Sequence, residues 1–190
     1  MSEAGHNNGP TMATGVAFRK LAWTKARAKL LPKLPIEVIR RRVKRAQELG
    51  LDYKSYASIR AASGHDVVAF LFSSNALRLL KANGGLPAER SEKLAALQRC
   101  GRLVAVQSPL TPQDMQRAAV KADLPLDTII TAPGLHHTWG ETRAILLTAL
   151  APQNLPSDRV VAIGDTALER DWCAAGRLAG YLTAETFFSV

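Results

Sequence analysis

Four short, mostly apolar runs rich in β-branched residues recur after residue 65, and they constrain the fold more than any other feature. The runs are Val67–Phe72, Leu103–Gln107, Thr128–Thr131 and Val160–Ile163. They lack the regular alternation of apolar and polar residues that marks a strand with one solvated face. Stretches of helical composition separate them, so strands and helices are expected to alternate.

The connecting helices define the fold class. They are predicted at Asn75–Asn83 with Ser91–Arg99, Pro112–Ala122, Trp139–Leu150, and from Thr166 to about Ala175. Strands buried on both faces and joined by helices form parallel sheets, and right-handed crossovers place helices on both faces. Residues 65–190 are therefore predicted to form an α/β fold, a three-layer, doubly wound, mostly parallel sheet of the Rossmann-like type.

The first 64 residues differ from the rest in charge. They hold 13 Lys or Arg against 4 Asp or Glu, a net charge of +9, whereas residues 65–190 hold 12 of each. Residues 1–16 are polar and turn-rich, which predicts a flexible tail. Residues 17–64 are predicted to form a basic helical region with helices at Phe18–Leu31, Pro35–Leu49 and Tyr53–Ala62.

The second of these helices is amphipathic. Its predicted apolar stripe consists of Ile36, Ile39, Val43, Ala46 and Leu49, with basic residues elsewhere on the helix. The basic residues predicted to contact an acidic partner are Lys25, Arg27, Lys29, Arg40, Arg41, Arg42, Lys44 and Arg45. Such a cluster suits the phosphate backbone of nucleic acid. An acidic protein surface, an anionic lipid surface or a merely solvated face is the alternative.

Composition limits the classes of protein that this chain can belong to. Hydrophobic residues make up 47% and charged residues 22%, which is typical of globular proteins. The two cysteines show neither a disulfide framework nor metal-ligand spacing, so a cytoplasmic location is expected. No run approaches the ~20 apolar residues needed to span a bilayer, and the N-terminus lacks the apolar core of a signal peptide.

Candidate ligand-binding residues follow the ends of the predicted strands. In open α/β sheets, ligands bind beyond the carboxyl ends of the strands. The candidates are Ser73, Ser74, Asn75, Ser108, His137, Asp165 and Glu169. Ser73, Ser74 and Asn75 could form a small polar pocket, or they could cap the helix predicted to begin there.

The end of the fourth strand carries the most specific pattern. Asp165 follows an apolar run that ends in Gly164, and Glu169 and Asp171 come about one helical turn later. Carboxylates grouped in this way can hold Mg²⁺ beside a phosphate, with Asp165 as the candidate metal ligand. Asp165 could instead cap the following helix. Separately, Glu169 and Asp171 could be solvated acids on the helix surface that pair with Arg170 or Arg177.

Residues 66–182 resemble the haloacid-dehalogenase-like superfamily, most of whose members are phosphohydrolases. The fourth motif of that family is an apolar strand ending in Gly-Asp with a further acid, as at Gly164–Glu169. Ser108 matches the Ser or Thr of the second motif, which hydrogen-bonds the phosphate. The resemblance implies a Rossmann-like fold, a possible Mg²⁺ cofactor and a phosphorylated small ligand.

The same resemblance implies loss of the usual activity. The first motif of the family carries two aspartates, one of which attacks phosphorus, but Leu71 and Ser73 stand in their places. The lysine of the third motif is also missing, and His136, His137 and Arg143 are the nearby candidates to replace it. A zinc site at His136 and His137 is a further alternative, although adjacent histidines point in different directions on most backbones.

Three functions are therefore open. The first is a non-catalytic, haloacid-dehalogenase-like domain whose basic helical extension binds an acidic partner, above all nucleic acid. The second is a Mg²⁺-dependent phosphohydrolase with an atypical active site that uses Asp165, Ser108 and a basic group near His137. The third is a protein-assembly subunit whose basic helices contact a protein partner.

Overall fold

The computed structural model describes residues 34–189 of the 190-residue chain. The chain divides into two units, Met1–Ile39 and Arg40–Val190, and the boundary falls within the first described helix. The predicted tail at residues 1–16 and the predicted helix at residues 18–31, with Lys25, Arg27 and Lys29, lie outside the described residues. The fold described below is that of the second unit.

Residues 34–189 form seven α-helices and five β-strands. The helices are α1 (Ile36–Glu48), α2 (Tyr53–Ser63), α3 (Ala88–Ala96), α4 (Pro112–Lys121), α5 (Trp139–Leu150), α6 (Ala167–Gly176) and α7 (Ala184–Phe188). The strands are β1 (Ala69–Ser73), β2 (Gly101–Val106), β3 (Thr128–Thr131), β4 (Val160–Gly164) and β5 (Gly180–Thr183). Short 3-10 helices at Ala151–Gln153 and Ser157–Arg159 lead from α5 to β4.

The strands form one parallel sheet in the order β3–β2–β1–β4–β5. In the centre, Leu71 of β1 pairs with Leu103 of β2 and Ala162 of β4. This order is that of the first five strands of a Rossmann fold, in which successive strands are added on one side of β1 up to β3 and on its other side from β4 onward. The predicted α/β fold class and the parallel arrangement of the four apolar runs are confirmed.

The central strand β1 is buried on both faces of the sheet. On one face, Phe70 and Phe72 pack in a core cluster that includes Met115 of α4 and Phe187 of α7. On the other face, Leu71 belongs to a second cluster formed with residues of α5 and α6. Helices therefore cover both faces, which explains why the central strands β1 and β4 are buried along their whole length.

Part of the basic helical region belongs to the core of the sheet domain. Ala46 and Leu49 of α1 and Tyr56 and Ile59 of α2 are buried in the same cluster as Phe70. Ile36, from the other end of the predicted apolar stripe, is 58% exposed. Only the carboxyl-terminal part of the stripe is thus deeply buried.

Arg45 fastens the end of α1 to two other segments of the domain. Its guanidinium donates to the Asp66 carboxylate at 3.1 Å and to the Val67 carbonyl at 2.9 Å, just before β1. It also donates to the carbonyls of Gln98 and Arg99, at 3.2 and 3.1 Å, in the connection between α3 and β2. The charged guanidinium therefore holds the helix in place, because it donates hydrogen bonds to three backbone carbonyls that would otherwise bind water.

Two local predictions fail. The predicted helix at residues 75–83 is a series of turns, because Arg78 adopts a left-handed conformation with a φ of 57° that ends the first turn. Strand β5 and helix α7 were not expected, because the short segment Gly180–Thr183 contains one glycine and is only half-buried. None of the helices between residues 34 and 189 is long and apolar enough to cross a membrane.

We expect the thermal midpoint Tm to fall as the solution becomes acidic, because several carboxyl groups are stabilised in their charged form. The hydrogen bond from Arg99 lowers the pKa of Glu48, and bonds from Thr111 lower the pKa of Asp114. A group whose pKa is lower in the folded state contributes stability above its unfolded pKa and loses it as the pH falls through the folded pKa. The Tm should therefore be level above pH about 5 and decline below it.

Arg99→Ala isolates one of these contributions. The variant removes the larger of the two arginine contributions that lower the pKa of Glu48, the other being from Arg45, so its Tm should depend less on pH in the acidic range than the wild-type Tm. Lys121→Ala, an exposed substitution on α4, should retain the wild-type dependence. Calorimetry from neutral pH to about pH 2.5 measures both. Identical acid profiles for Arg99→Ala and the wild type would contradict this assignment.

Candidate functional site

The carboxyl edge of the sheet brings together most of the residues predicted to bind a ligand. Three loops meet there, after β1 (residues 73–75), after β2 (residues 107–108) and after β4 (residues 165–166). Adjacent strands β1 and β4 lead into helices on opposite faces at this point, which is where open α/β sheets form a crevice. We call the space between these three loops the crevice.

The carboxylate of Glu169 lies at the centre of the crevice. One oxygen, Oε2, accepts hydrogen bonds from the backbone N–H groups of Asp165 at 2.6 Å and Thr166 at 2.8 Å. The other, Oε1, accepts from the side-chain amides of Asn75 at 3.1 Å and Gln107 at 3.3 Å. Four donors from three loops thus surround one buried carboxylate, whose residue is 1% exposed.

This arrangement corrects the interpretation of Glu169 as a solvated acid. Glu169 is the third residue of α6, and it forms a capping box with Thr166, which is the N-cap. Asp165 is therefore not the cap, and its side chain is exposed. The negative charge of Glu169 also lies at the positive end of the α6 dipole, where a carboxylate is stabilised.

Gly164 allows Glu169 to occupy this place. A Cβ atom built on Gly164 would lie 2.6 Å from Oε2 and 2.7 Å from Cβ of Glu169. Real Cβ atoms do not approach other atoms so closely, so any side chain at position 164 displaces Glu169 or the strand end. The glycine of the Gly-Asp pair at the end of β4 therefore has a structural role, because it leaves space for the buried carboxylate of Glu169.

Ser73 and Ser74 stabilise the backbone of the loops around the crevice. Both are buried, and the Ser73 hydroxyl oxygen accepts from the backbone N–H of Ala76 at 3.0 Å. The Ser74 hydroxyl oxygen accepts from the backbone N–H of Gln107 at 3.0 Å, which ties the loop after β1 to the loop after β2. Gln107 was overlooked among the candidates, although it ends the second apolar run just before Ser108.

Asp165, Ser108 and His137 occupy the periphery of this edge. Asp165 and Ser108 are exposed at the ends of β4 and β2. Burial lowers the pKa of the Arg90 guanidinium in α3. The negative charge of Asp165 partly offsets this lowering. His137 lies in the loop between β3 and α5, where its Nδ1 accepts from the Gly134 N–H at 2.9 Å.

The donor set in the crevice does not fit Mg²⁺. No group of three or more His, Cys, Asp or Glu side chains in residues 34–189 is placed to hold a metal ion. Both oxygens of Glu169 already accept hydrogen bonds, so Glu169 would have to release four donors before it could bind a cation. The rings of His136 and His137 contact each other at an angle of 38°, with centroids 3.9 Å apart.

The basic residues of α1 fall into two groups. Arg40, Arg41 and Lys44 are exposed, and Arg42 is half-buried. Arg45 instead contacts Asp66, Glu48 and three backbone carbonyls, so it holds the fold together. Arg41 and Lys44 are three residues apart on one side of the helix and form no ion pair within residues 34–189.

Comparison of the chain with protein-family models, with curated proteins and with solved structures gives no significant match.

Proposed function

We propose that this protein binds nucleic acid through the basic residues of α1, and that its α/β domain is a non-catalytic scaffold for that helix. The observation that carries the proposal is the exposed pair Arg41 and Lys44, which lack acidic partners among residues 34–189. Arg40 and Arg42 extend the same cluster along the helix. Arg45 does not belong to the binding surface, because its donors are used within the fold.

The charge of the chain supports phosphate binding over a merely solvated face. All of the net charge of +9 lies in the first 64 residues, so the cluster on α1 is part of a strongly basic segment. Lys and Arg that contact phosphates displace condensed counterions, which makes binding favourable at low salt. The exposed residues of α1 contact phosphates in this proposal, so the binding depends little on base sequence.

The proposed lack of catalysis rests on the crevice. Leu71 stands where the haloacid-dehalogenase-like superfamily has its nucleophile, and it is 1% exposed within the core. Ser73 is fully buried, and its hydroxyl oxygen caps the turn at Ala76. We propose that the domain is a degenerate member of that superfamily, in which Glu169 fills the place left by the lost chemistry. The parallel strand order and the positions of Ser108 and Asp165 at one sheet edge support this part of the proposal.

A salt titration with two matched double variants tests the nucleic-acid part. The full chain should shift a short duplex in a gel at low salt, and log Kobs should fall linearly with log salt concentration. Arg41→Ala with Lys44→Ala should weaken binding and reduce the magnitude of that slope by about 1.8 for duplex DNA, since each phosphate contact contributes about 0.9. Lys81→Ala with Lys121→Ala removes the same charge elsewhere and should retain the wild-type slope.

Three outcomes would overturn the proposal. One is the absence of a shift at about 50 mM salt, where phosphate contacts are strong. Another is an equal loss of affinity in both double variants, which would show that only net charge matters. The third is Mg²⁺-dependent hydrolysis of a generic phosphoester that Asp165→Asn abolishes, which would favour the phosphohydrolase alternative.

A further inference from the structure

A small cavity opens at the carboxyl side of the sheet. It has a volume of about 200 Å³ and lies between the loop that connects β3 to α5 and one side of α6. The residues that give it its chemistry are Leu135, His137, Trp139, Leu168, Asp171 and Trp172. Because two of these are tryptophans, we call it the indole cavity.

The mouth of the indole cavity exposes large apolar side chains. Leu135 is 87% exposed and Trp139 is 62% exposed. Trp139 is the first residue of α5, and the capping box between Thr138 and Glu141 fixes that helix end. The exposed indole is therefore presented from an ordered helix end beside a cavity, which is typical of a binding site.

The wall of the cavity combines a buried indole with a carboxylate. Trp172 is 1% exposed and belongs to the core behind the cavity, so the indole that a ligand can reach is that of Trp139, which is 62% exposed. Asp171 is exposed and makes no ion pair with another described residue. No Lys or Arg is among the described residues that line the cavity, and the nearby Arg143 donates to the Ala175 carbonyl at 3.5 Å.

We infer that the indole cavity binds a small organic cation, an ammonium group carried on a short apolar body. The face of an indole ring attracts cations more strongly than other aromatic side chains do. Asp171 would add a direct charge interaction, and Leu135 and Leu168 would contact the apolar part of the ligand. The carboxylate disfavours anions, so this site is distinct in chemistry from the phosphate-binding surface proposed for α1.

Choline and its neutral analogue, in which a tert-butyl group replaces trimethylammonium, form a matched pair of probes. The two molecules have nearly the same shape, so a difference between them reports the positive charge. The full chain has three tryptophans, whose indole N–H signals can be followed by nitrogen-15 NMR and assigned with the two variants Trp23→Phe and Trp139→Phe. Choline at up to about 50 mM should shift the signals of Trp139 and Trp172, since so small a ligand is limited to millimolar affinity.

Two variants locate the binding energy. Asp171→Asn should weaken choline binding by about tenfold and leave the response to the neutral analogue unchanged. Trp139→Ala should weaken choline binding by at least about tenfold while preserving the Tm, because this side chain is exposed. Asp123→Asn removes an exposed carboxylate elsewhere and should retain wild-type affinity.

Any of three results would overturn the inference. Choline could leave both indole signals unshifted over the whole titration. The neutral analogue could shift them as strongly as choline does, which would show an apolar site without charge selection. Asp171→Asn could bind choline as tightly as Asp123→Asn does, which would remove Asp171 from the site. None of these results depends on whether α1 binds nucleic acid.

Discussion

Arg45→Ala should lower the free energy of unfolding by about 3 kcal/mol, the larger of the two main effects that we expect. The Arg45 side chain is 15% exposed and donates to Asp66, Glu48 and the carbonyls of Val67, Gln98 and Arg99. Its removal leaves three carbonyls and two carboxylates without the same charged donor. A denaturant titration followed by circular dichroism measures the change.

Two control variants separate the contacts of Arg45 from its charge. Arg45→Lys keeps the charge but loses the planar fork of donors, so its stability should fall between those of the wild type and Arg45→Ala. Arg41→Ala removes a neighbouring charge that makes no such contacts and should change the free energy of unfolding by less than about 0.5 kcal/mol. Equal stabilities of Arg45→Ala and Arg41→Ala would refute the structural role of Arg45.

This result also bears on the binding experiments. If Arg45→Ala destabilises the fold, a loss of nucleic-acid binding in that variant cannot be assigned to a lost phosphate contact. The exposed residues Arg41 and Lys44 are the appropriate positions for testing the surface.

Glu169→Ala should lower the free energy of unfolding by about 2–3 kcal/mol. The variant leaves the N–H groups of Asp165 and Thr166 and the amides of Asn75 and Gln107 without their common acceptor. These donors are packed at the edge of the core, so water replaces the carboxylate only in part. The same denaturant titration measures the loss.

Glu169→Gln and Gly164→Ala test whether the carboxylate itself is required. Glutamine has the shape of glutamate but carries only one acceptor oxygen, so its amide group would face other donors and stability should still fall by about 1–2 kcal/mol. Gly164→Ala leaves Glu169 intact but places a Cβ within 2.6 Å of its carboxylate, so it should destabilise the same contacts. Glu92→Ala, at an exposed site on α3, is the control.

Wild-type stability in both Glu169 variants would mean that the four hydrogen bonds contribute nothing measurable. The crevice would then be open to an external ligand at little cost. That outcome would weaken the proposed non-catalytic role and favour a ligand-binding crevice that uses Asn75, Gln107 and Asp165.

The sequence indicated which segments form strands and that they are parallel, but not their order in the sheet. The apolar runs around Leu71, Leu103 and Val160 indicated strands buried on both faces, and this burial dictates a parallel sheet with helices on either side. Helix α5 was predicted with its observed bounds, because Thr138 and Pro152 flank an uninterrupted helical stretch. Strand β5 escaped detection because its four residues are held mainly by pairing with β4.

The difference between Arg41 and Arg45 could not be predicted. Both are arginines on the same helix, and helical periodicity alone assigned both to the basic face. Arg45 reaches carbonyls 22 and 53 residues away in sequence, and these groups lie beside the helix only after the sheet has formed. The local sequence pattern therefore identified the basic residues, whereas the fold determined which of them make structural contacts and which stay exposed.

By itself, the sequence determined the parallel α/β architecture and the concentration of polar residues at one edge of the sheet, because burial and helical or strand periodicity are local properties. Only the tertiary structure decided that Glu169 is buried, since its partners Asn75 and Gln107 lie 94 and 62 residues away. It likewise decided that Trp139 and Trp172 share a cavity. The physical reason is that these hydrogen bonds and this cavity depend on which loops and helices lie side by side in the folded chain. Contacts between residues so far apart in sequence leave no periodic pattern.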